Sequence, residues 1–148
     1  MSTDSAHTSP PKWLQQPPTA FDIVTAYYPE TKPKGDLRLR PCLSVLQGKT
    51  SGGFALQVAY GTKHLKFQQR KSVDLIIQNH THLQEHGLAM ATRFNLDTDN
   101  IVVLPWTEEF FGCWTGRHHP RIGHLSENYI RDLAFSLMMR KMAEDQAN

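Results

Sequence analysis

The chain has 148 residues, a size that fits one domain with a hydrophobic core of its own. Its formal net charge is +2, a mild basic bias that permits a nucleic-acid partner without requiring one. The 2 cysteines lack CxxC spacing, which argues against a disulfide framework and against a structural zinc site built on thiolates.

The N-terminal residues 1–18 are rich in Ser, Thr, Pro and Gln, and they offer too little apolar surface to offset the entropy lost on ordering. We therefore predict a disordered tail here, a folded domain at residues 19–143 and a flexible C-terminus at residues 144–148. Trp13 and Leu14 are the large apolar residues of this tail, and they could dock on the domain or on a partner. The chain has no apolar leader segment and no run with the length of a membrane span, which predicts a cytoplasmic protein without a membrane partner.

Short runs of β-branched and aromatic residues predict a series of strands. The strands are predicted at residues 21–28, 39–46, 54–60, 73–77, 91–96, 101–104 and 121–125. The turns between them are predicted at residues 29–36, 48–53 and 97–100. Because their connections are short, the first three strands are expected to form an antiparallel meander. A helix is predicted at residues 79–86, closed by Gly87 as its C-cap, and a short helical turn at residues 105–111.

A longer helix is predicted at the C-terminal end of the chain. Ser126 is a favourable N-cap residue, Glu127 suits the positive end of the helix dipole, and Arg140 and Lys141 suit the negative end. Apolar residues fall on one stripe at helical spacing, and we expect this stripe to pack against the sheet or a second subunit. The stripe comprises Tyr129, Ile130, Leu133, Ala134, Leu137, Met138 and Met142. Many short strands with one long helix at the end predict a mostly β fold, a small barrel-like domain with appended helices.

Two polar side chains stand at the ends of predicted strands. Arg40 enters the second strand and Thr62 follows the third, so strands lying side by side would place a permanent cation beside a hydroxyl. Such a pair suits a phosphate ligand. Further cations precede the second strand and follow the third, although a solvated hairpin tip would show the same pattern. These cations are Lys32, Lys34, Arg38, Lys63 and Lys66.

Several short motifs follow one another in a defined order along the chain. They are Asp22-Ile23-Val24, Arg40-Pro41, Val58-Ala59-Tyr60-Gly61-Thr62, Thr92-Arg93-Phe94-Asn95-Leu96, Leu104-Pro105-Trp106 and Ile122-Gly123-His124-Leu125-Ser126. Over about residues 20 to 140 this ordered set resembles the MazF/PemK toxin family, the ribonuclease halves of bacterial type II toxin–antitoxin pairs, and in particular its PemK-like branch. Phe21 stands where the family usually has a glycine, and Lys63 and His64 replace its more usual Ser-Lys pair.

The resemblance implies an SH3-like barrel of the MazF/Kid/CcdB type that forms homodimers and binds a cognate antitoxin protein. It also implies cleavage of single-stranded RNA without a metal or other cofactor, leaving a 2′,3′-cyclic phosphate and a 5′-hydroxyl. The functional pair of the family corresponds to Arg40 and Thr62. The loop at residues 29–38 is expected to help grip RNA and to respond to the antitoxin.

The chemistry of these residue types is compatible with that reaction. Attack of a 2′-hydroxyl on its own phosphate needs charge relief on the phosphorane, which Arg40 could supply through two N–H donors. Thr62 could orient or relay a proton through its hydroxyl, and His64 is a candidate acid or base because histidine titrates near neutrality. An exposed loop histidine without a catalytic role is the other interpretation of His64. The five cations listed above are predicted to hold the RNA backbone.

A second hypothesis is a non-catalytic binding module on the same barrel. It would inhibit or regulate a protein target, as CcdB-type gyrase poisons do, or represent a degenerate toxin homologue. Strong salt dependence of RNA binding favours the nuclease, whereas protein binding that survives Arg40→Ala favours the module. His82 and His86 have the i, i+4 spacing of a metal clip, but no HExxH motif accompanies them, and we predict no metal site. Cys42 is predicted to be a buried core residue rather than a nucleophile.

Overall fold

The computed structural model describes residues 9–27, 38–65 and 73–147. Its strands are β1 (Asp22–Tyr27), β2 (Leu39–Thr50), β3 (Gly53–Thr62), β4 (Asp74–Ile77), β5 (Thr92–Asn95), β6 (Ile101–Pro105) and β7 (Arg121–His124). Its α-helices are α1 (His80–Glu85) and α2 (Glu127–Ala147), and 3-10 turns lie at Lys12–Gln15 and Thr98–Asn100.

The strands of the described residues form one curled antiparallel sheet. Its strand order is β4-β5-β3-β2-β1-β7, and β6 pairs with β3 as well. The predicted meander of β1, β2 and β3 is present. Along β3, residues 55–59 pair with β6, whereas Gly61 and Thr62 pair with β5. The sheet therefore bends at β3 into a half-barrel, and the predicted mostly β fold with an appended C-terminal helix is confirmed.

The hairpin between β2 and β3 is longer and its turn tighter than predicted. The turn expected at residues 48–53 is wrong, because strand pairing continues to Thr50 opposite Gly53 and leaves two residues, 51 and 52, as the turn. Gly53 has a φ of 127°, a conformation that residues with a Cβ rarely adopt. At its other end β3 continues to Thr62, so this residue belongs to the strand instead of following it.

Both faces of β1 are buried. Ile23 belongs to a core cluster that also includes Phe94 of β5 and Leu133 of α2. Val24, the next residue, belongs to a second cluster with Leu104 and Trp106. Successive side chains of a strand alternate between faces, so neighbouring residues of β1 contribute to different clusters.

The N-terminal segment covers the second of these clusters. The rings of Trp13 and Trp106 pack edge to face with centroids 5.0 Å apart, and Trp106 Nε1 donates a hydrogen bond to the Leu14 carbonyl at 2.9 Å. His119 Nδ1 accepts from the Arg121 N–H at 2.8 Å, so its Nε2 carries the proton and donates to the Gln16 carbonyl at 2.9 Å. Of the two roles considered for Trp13 and Leu14, the structure shows docking on the domain.

The apolar stripe predicted for the last helix is only partly correct. Leu133 is buried, and Tyr129, Ile130 and Leu137 pack partly buried against the core. Ala134, Met138 and Met142, assigned to the same stripe, are exposed. The prediction failed because α2 carries a second apolar stripe on its outer face, at positions i, i+3, i+4 and i+7. That outer stripe consists of Phe135, Met138, Met139 and Met142.

The short helix α1 ends as the sequence predicts. Asn79 Oδ1 caps it by accepting the backbone N–H groups of Thr81 and His82, and Gly87 follows with a φ of 73°. A short helical turn was predicted at residues 105–111. Pro105 instead ends β6, and residues 107–111 form one turn in which the Phe110 and Phe111 N–H groups donate to the Thr107 carbonyl. In the three described stretches, no helix has the length and apolarity needed to cross a membrane.

Candidate active site

A cleft of about 340 Å³ opens where β2 begins and β3 ends. Its walls also include the segment between α1 and β5 and one tryptophan from the loop before β7. The lining residues are Arg38, Leu39, Arg40, Pro41, Gly61, Thr62, Lys63, His64, Leu88, Ala89, Met90, Thr92 and Trp114. The cationic residues of the lining come from the two strand ends, and most of the residues from the other segments are apolar.

The strand register brings Arg40 and Thr62 to this cleft. Pairing between β2 and β3 reaches Cys42 opposite Tyr60, so Arg40 and Thr62 each lie two residues beyond this last pair, at the same edge of the sheet. Arg40 pairs with Ala26 of β1, while Thr62 pairs with Arg93 of β5. Both candidate residues are half-buried and sit on strands that are held on both sides. Their relative position is consequently set by the sheet rather than by a loop.

Gly61 permits this approach of three strands. A Cβ at Gly61 would lie 2.6 Å from Thr92 Cγ2, 3.0 Å from Phe94 Cε1 and 3.0 Å from the Pro41 carbonyl oxygen. Such contacts leave no room for a side chain, so the position requires glycine. The sequence shows the glycine as part of a motif, but its steric reason depends on β5, which lies about thirty residues away in the chain.

The hydroxyl oxygen of Thr62 accepts a hydrogen bond from the backbone that follows β3. The backbone N–H of His64 donates to Thr62 Oγ1 at 3.1 Å, closing a small turn directly after β3. The hydroxyl proton remains able to donate to a ligand in the cleft, because the oxygen uses one of its lone pairs for this bond. Lys63 and His64 are exposed at the rim of the cleft.

Cys42 lies beside Arg40 but is not a nucleophile. Burial raises the pKa of the Cys42 thiol well above its ordinary value, and the nearby Arg40 charge opposes this only in part. The thiol is fully buried and its Sγ lies 3.6 Å from the Arg40 carbonyl oxygen. Because only the thiolate reacts readily, the neutral thiol acts as a small apolar core residue, as predicted.

The predicted site residues divide into two groups. Arg38, Arg40, Thr62, Lys63 and His64 line one cleft. The other predicted RNA-binding residues, Lys32, Lys34 and Lys66, lie outside the described residues. Sequence reasoning missed the apolar wall, which is formed by Leu88, Met90, Thr92 and Trp114. No periodic pattern marks these residues, and the tryptophan in a loop rich in Gly and His was the one available signal.

The histidines considered as a metal clip have other partners. His86 is buried, its Nε2 accepts the Ser126 N–H at 3.0 Å, and its Nδ1 therefore donates to the His82 carbonyl at 2.6 Å. His82 Nδ1 lies 2.7 Å from the Tyr129 hydroxyl. Among the described residues, no group of three or more His, Cys, Asp or Glu side chains could hold a metal ion. His86 thus joins the end of α1 to the start of α2.

Comparison with known proteins does not assign the chain to a family. Neither models of known protein families nor curated protein sequences give a match. The residues of the cleft and their chemistry are therefore the basis for a proposal of function.

Proposed function

We propose that the protein is an endoribonuclease of the toxin type that cleaves single-stranded RNA without a metal. The observation that carries the proposal is that Arg40 and Thr62, a cation and a hydroxyl from facing strands, line the same cleft. The resemblance of the ordered motifs to the MazF/PemK family supports the same assignment. Both residues sit on paired strands, so the sheet holds their backbone in place beside the cleft.

The reaction begins when the 2′-hydroxyl of a nucleotide loses its proton and attacks the adjacent phosphorus. Arg40 donates N–H groups to the non-bridging oxygens, where negative charge builds up in the phosphorane. The bond to the 5′-oxygen then breaks, and this oxygen takes up a proton. The products are a 2′,3′-cyclic phosphate on one fragment and a 5′-hydroxyl on the other.

Thr62 and His64 are proposed for the proton transfers. The Thr62 oxygen accepts the His64 N–H, and its own O–H is proposed to donate to a phosphate oxygen in the cleft. The imidazole of His64, at the cleft rim, serves as the acid or base for the attacking or the leaving oxygen. Arg40 does not serve as the base, because a guanidinium keeps its proton.

RNA binding is proposed to follow the cationic rim. Arg38, before β2, and Lys63, after β3, are exposed and line the cleft. They are proposed to contact the phosphates on either side of the cleaved bond. Lys32, Lys34 and Lys66 extend this rim in the proposal, although they lie outside the described residues. Contacts of this kind release counterions, so binding is expected to weaken steeply with salt.

A homodimer and a cognate antitoxin belong to the same proposal. The outer stripe of α2 supports it, because Phe135 is 60 % exposed and Met138 is 51 % exposed there. Contiguous exposed apolar surface commonly marks an interaction site. Light scattering of the wild type beside Phe135→Ser tests this part, and a monomeric wild type would exclude the homodimer.

The decisive experiment is cleavage of a long, weakly structured RNA in EDTA. Arg40→Ala is expected to lower the rate by about 100- to 1,000-fold, as loss of a charge-stabilising donor does elsewhere. Thr62→Val keeps the side-chain shape without the hydroxyl and should be impaired, whereas Thr62→Ser should retain activity. Arg131→Ala is the matched control, since it removes an arginine that is 72 % exposed on α2 and does not line the cleft.

The ends of the fragments complete the test. Cyclic phosphates in the wild-type products, lost in Arg40→Ala and Thr62→Val, would support the proposed chemistry. Intact RNA with a folded wild-type protein would overturn it. A protein target that is still bound by Arg40→Ala would then favour the non-catalytic binding module.

A further inference from the structure

We infer that the apolar wall of the cleft is a nucleobase subsite, in which Trp114 stacks on a base of the RNA strand whose phosphate lies at Arg40. The inference rests on the proposed function, because it takes the strand in the cleft to be RNA. It adds a positioning residue that neither the motif pattern nor the predicted cationic patch contains.

Trp114 is fixed relative to the catalytic strand. Its Nε1 donates a hydrogen bond to the Leu39 carbonyl at 3.2 Å, directly before Arg40 in β2. The indole packs against the core cluster of Ile23 and Phe94 and is half-buried, while it also lines the cleft. A ring anchored at its N–H and supported by the core is a rigid platform, and stacking on it sacrifices little side-chain entropy.

Met90 lies on the same apolar wall. Its side chain is 56 % exposed, although the backbone around it is held by a 2.8 Å hydrogen bond from the Thr92 hydroxyl to the Met90 carbonyl. An exposed methionine on a fixed backbone offers an adaptable apolar contact, which suits bases of different size. Leu88, which is buried, completes this wall.

The residues that line the cleft include groups that suit both parts of a nucleotide. The rim of Arg38, Arg40 and Lys63 is cationic and suits the phosphate, whereas the wall of Trp114 and Met90 is apolar and suits the flat base. The cleft volume of about 340 Å³ lies at the lower end of the range of about 300–1,000 Å³ for small-molecule sites, which fits about one nucleotide. Since every base has a π-face, stacking here provides affinity more than choice of sequence.

The test separates stacking from the hydrogen bond to Leu39. Trp114→Phe and Trp114→Leu both remove the Nε1 donor, but only the phenylalanine keeps an aromatic face. Binding is measured by fluorescence anisotropy with a mixed-sequence 2′-O-methyl RNA 12-mer, in which the attacking hydroxyl is blocked and cleavage cannot occur. Loss of one base–aromatic stack corresponds to about 5- to 150-fold weaker binding. We expect this loss in Trp114→Leu and a much smaller one in Trp114→Phe.

A 12-mer that is abasic at every position provides the second measurement. It should bind the wild type more weakly than the intact 12-mer does, and this difference should be smaller for Trp114→Leu, because the stack is already absent there. Equal losses in the two tryptophan variants, or no loss in either, would overturn the base subsite. Failure of the proposed nuclease function gives a different result. A wild type that binds the 12-mer but never cuts RNA overturns the catalytic proposal alone. A wild type that cuts RNA, with equal binding by Trp114→Phe and Trp114→Leu, overturns the base subsite alone.

Discussion

Gly61→Ala is the substitution that tests most directly how the cleft is built. Gly61 is not among the residues with positive φ, so alanine is compatible with its backbone and the destabilising part of the change is steric. The new methyl group would lie 2.6 Å from Thr92 Cγ2 and 3.0 Å from the Pro41 carbonyl oxygen. These neighbours belong to β5 and β2, so the strain acts on the strands that carry Thr62 and Arg40.

The expected magnitude follows from two opposing contributions. Overpacking a well-packed site lowers the free energy of unfolding by about 1–3 kcal/mol. Replacing glycine by alanine raises it by about 0.4–1 kcal/mol through the lower entropy of the unfolded chain. We therefore expect a net loss of about 1–2 kcal/mol, or a fall of roughly 2–8 °C in Tm for a chain of this size.

Urea denaturation measures this loss, and two further variants identify its cause. Thr92→Ser removes the methyl group nearest to the new Cβ while keeping the hydroxyl that bonds to Met90, so the double variant Gly61→Ala/Thr92→Ser should recover part of the stability. Gly48→Ala is the matched control, because a Cβ there would meet no atom within 4 Å. A Gly61→Ala variant as stable as Gly48→Ala, or additive effects in the double variant, would refute the reasoning.

Three other predictions follow from the described residues. Phe21 has a φ of 71°, so the Phe21→Gly variant should be more stable than the Phe21→Ala variant by about 1–2 kcal/mol in urea denaturation. A more stable alanine variant, as is usual at negative φ, would contradict the positive φ of this residue. Burial raises the pKa of the Cys42 and Cys113 thiols, so less thiolate forms at a given pH. A colorimetric thiol reagent should therefore modify Cys113 slowly in the native protein and Cys42 only after unfolding. Fast reaction of both cysteines in the native protein would contradict this. Leu133 is buried, so Leu133→Ala should lower the free energy of unfolding by about 2–5 kcal/mol. Phe135 is exposed, so Phe135→Ala should lower it by no more than about 0.5 kcal/mol at low protein concentration. Equal losses in the two variants would show that the outer face of α2 is covered.

Local patterns in the sequence were sufficient for most of the fold. Strand alternation and turn residues located every strand to within a few residues, because the period of side chains along a strand is a property of a few neighbouring positions. The cap of α1 at Gly87 was predicted for the same reason, since the left-handed conformation strongly favours glycine. The turn after β2 was misplaced because Gly48 suggested a break, although strand pairing continues to Thr50.

The two faces of α2 show the limit of such patterns. Periodicity correctly assigned Leu133 and Leu137 to a helix, but it could not say which apolar residues face the sheet. Met138 and Met142 lie on the outer face, and this depends on where β4 and β5 end and on how far the helix extends beyond them. Burial is decided by neighbours distant in sequence, so one chain segment does not determine it.

In the candidate site too, some features follow from local sequence and others from tertiary packing. The sequence by itself determined that a cation, Arg40, and a hydroxyl, Thr62, stand at the ends of adjacent strands, because a meander with short turns brings those ends together. Only the tertiary structure decided that Trp114 lies on the cleft, through a hydrogen bond to Leu39 across 75 residues of chain. Likewise, the need for glycine at Gly61 arises from β5. The physical reason is that hydrogen-bonding and apolar periodicity are local, whereas the space around a residue is set by whichever distant segments pack against it.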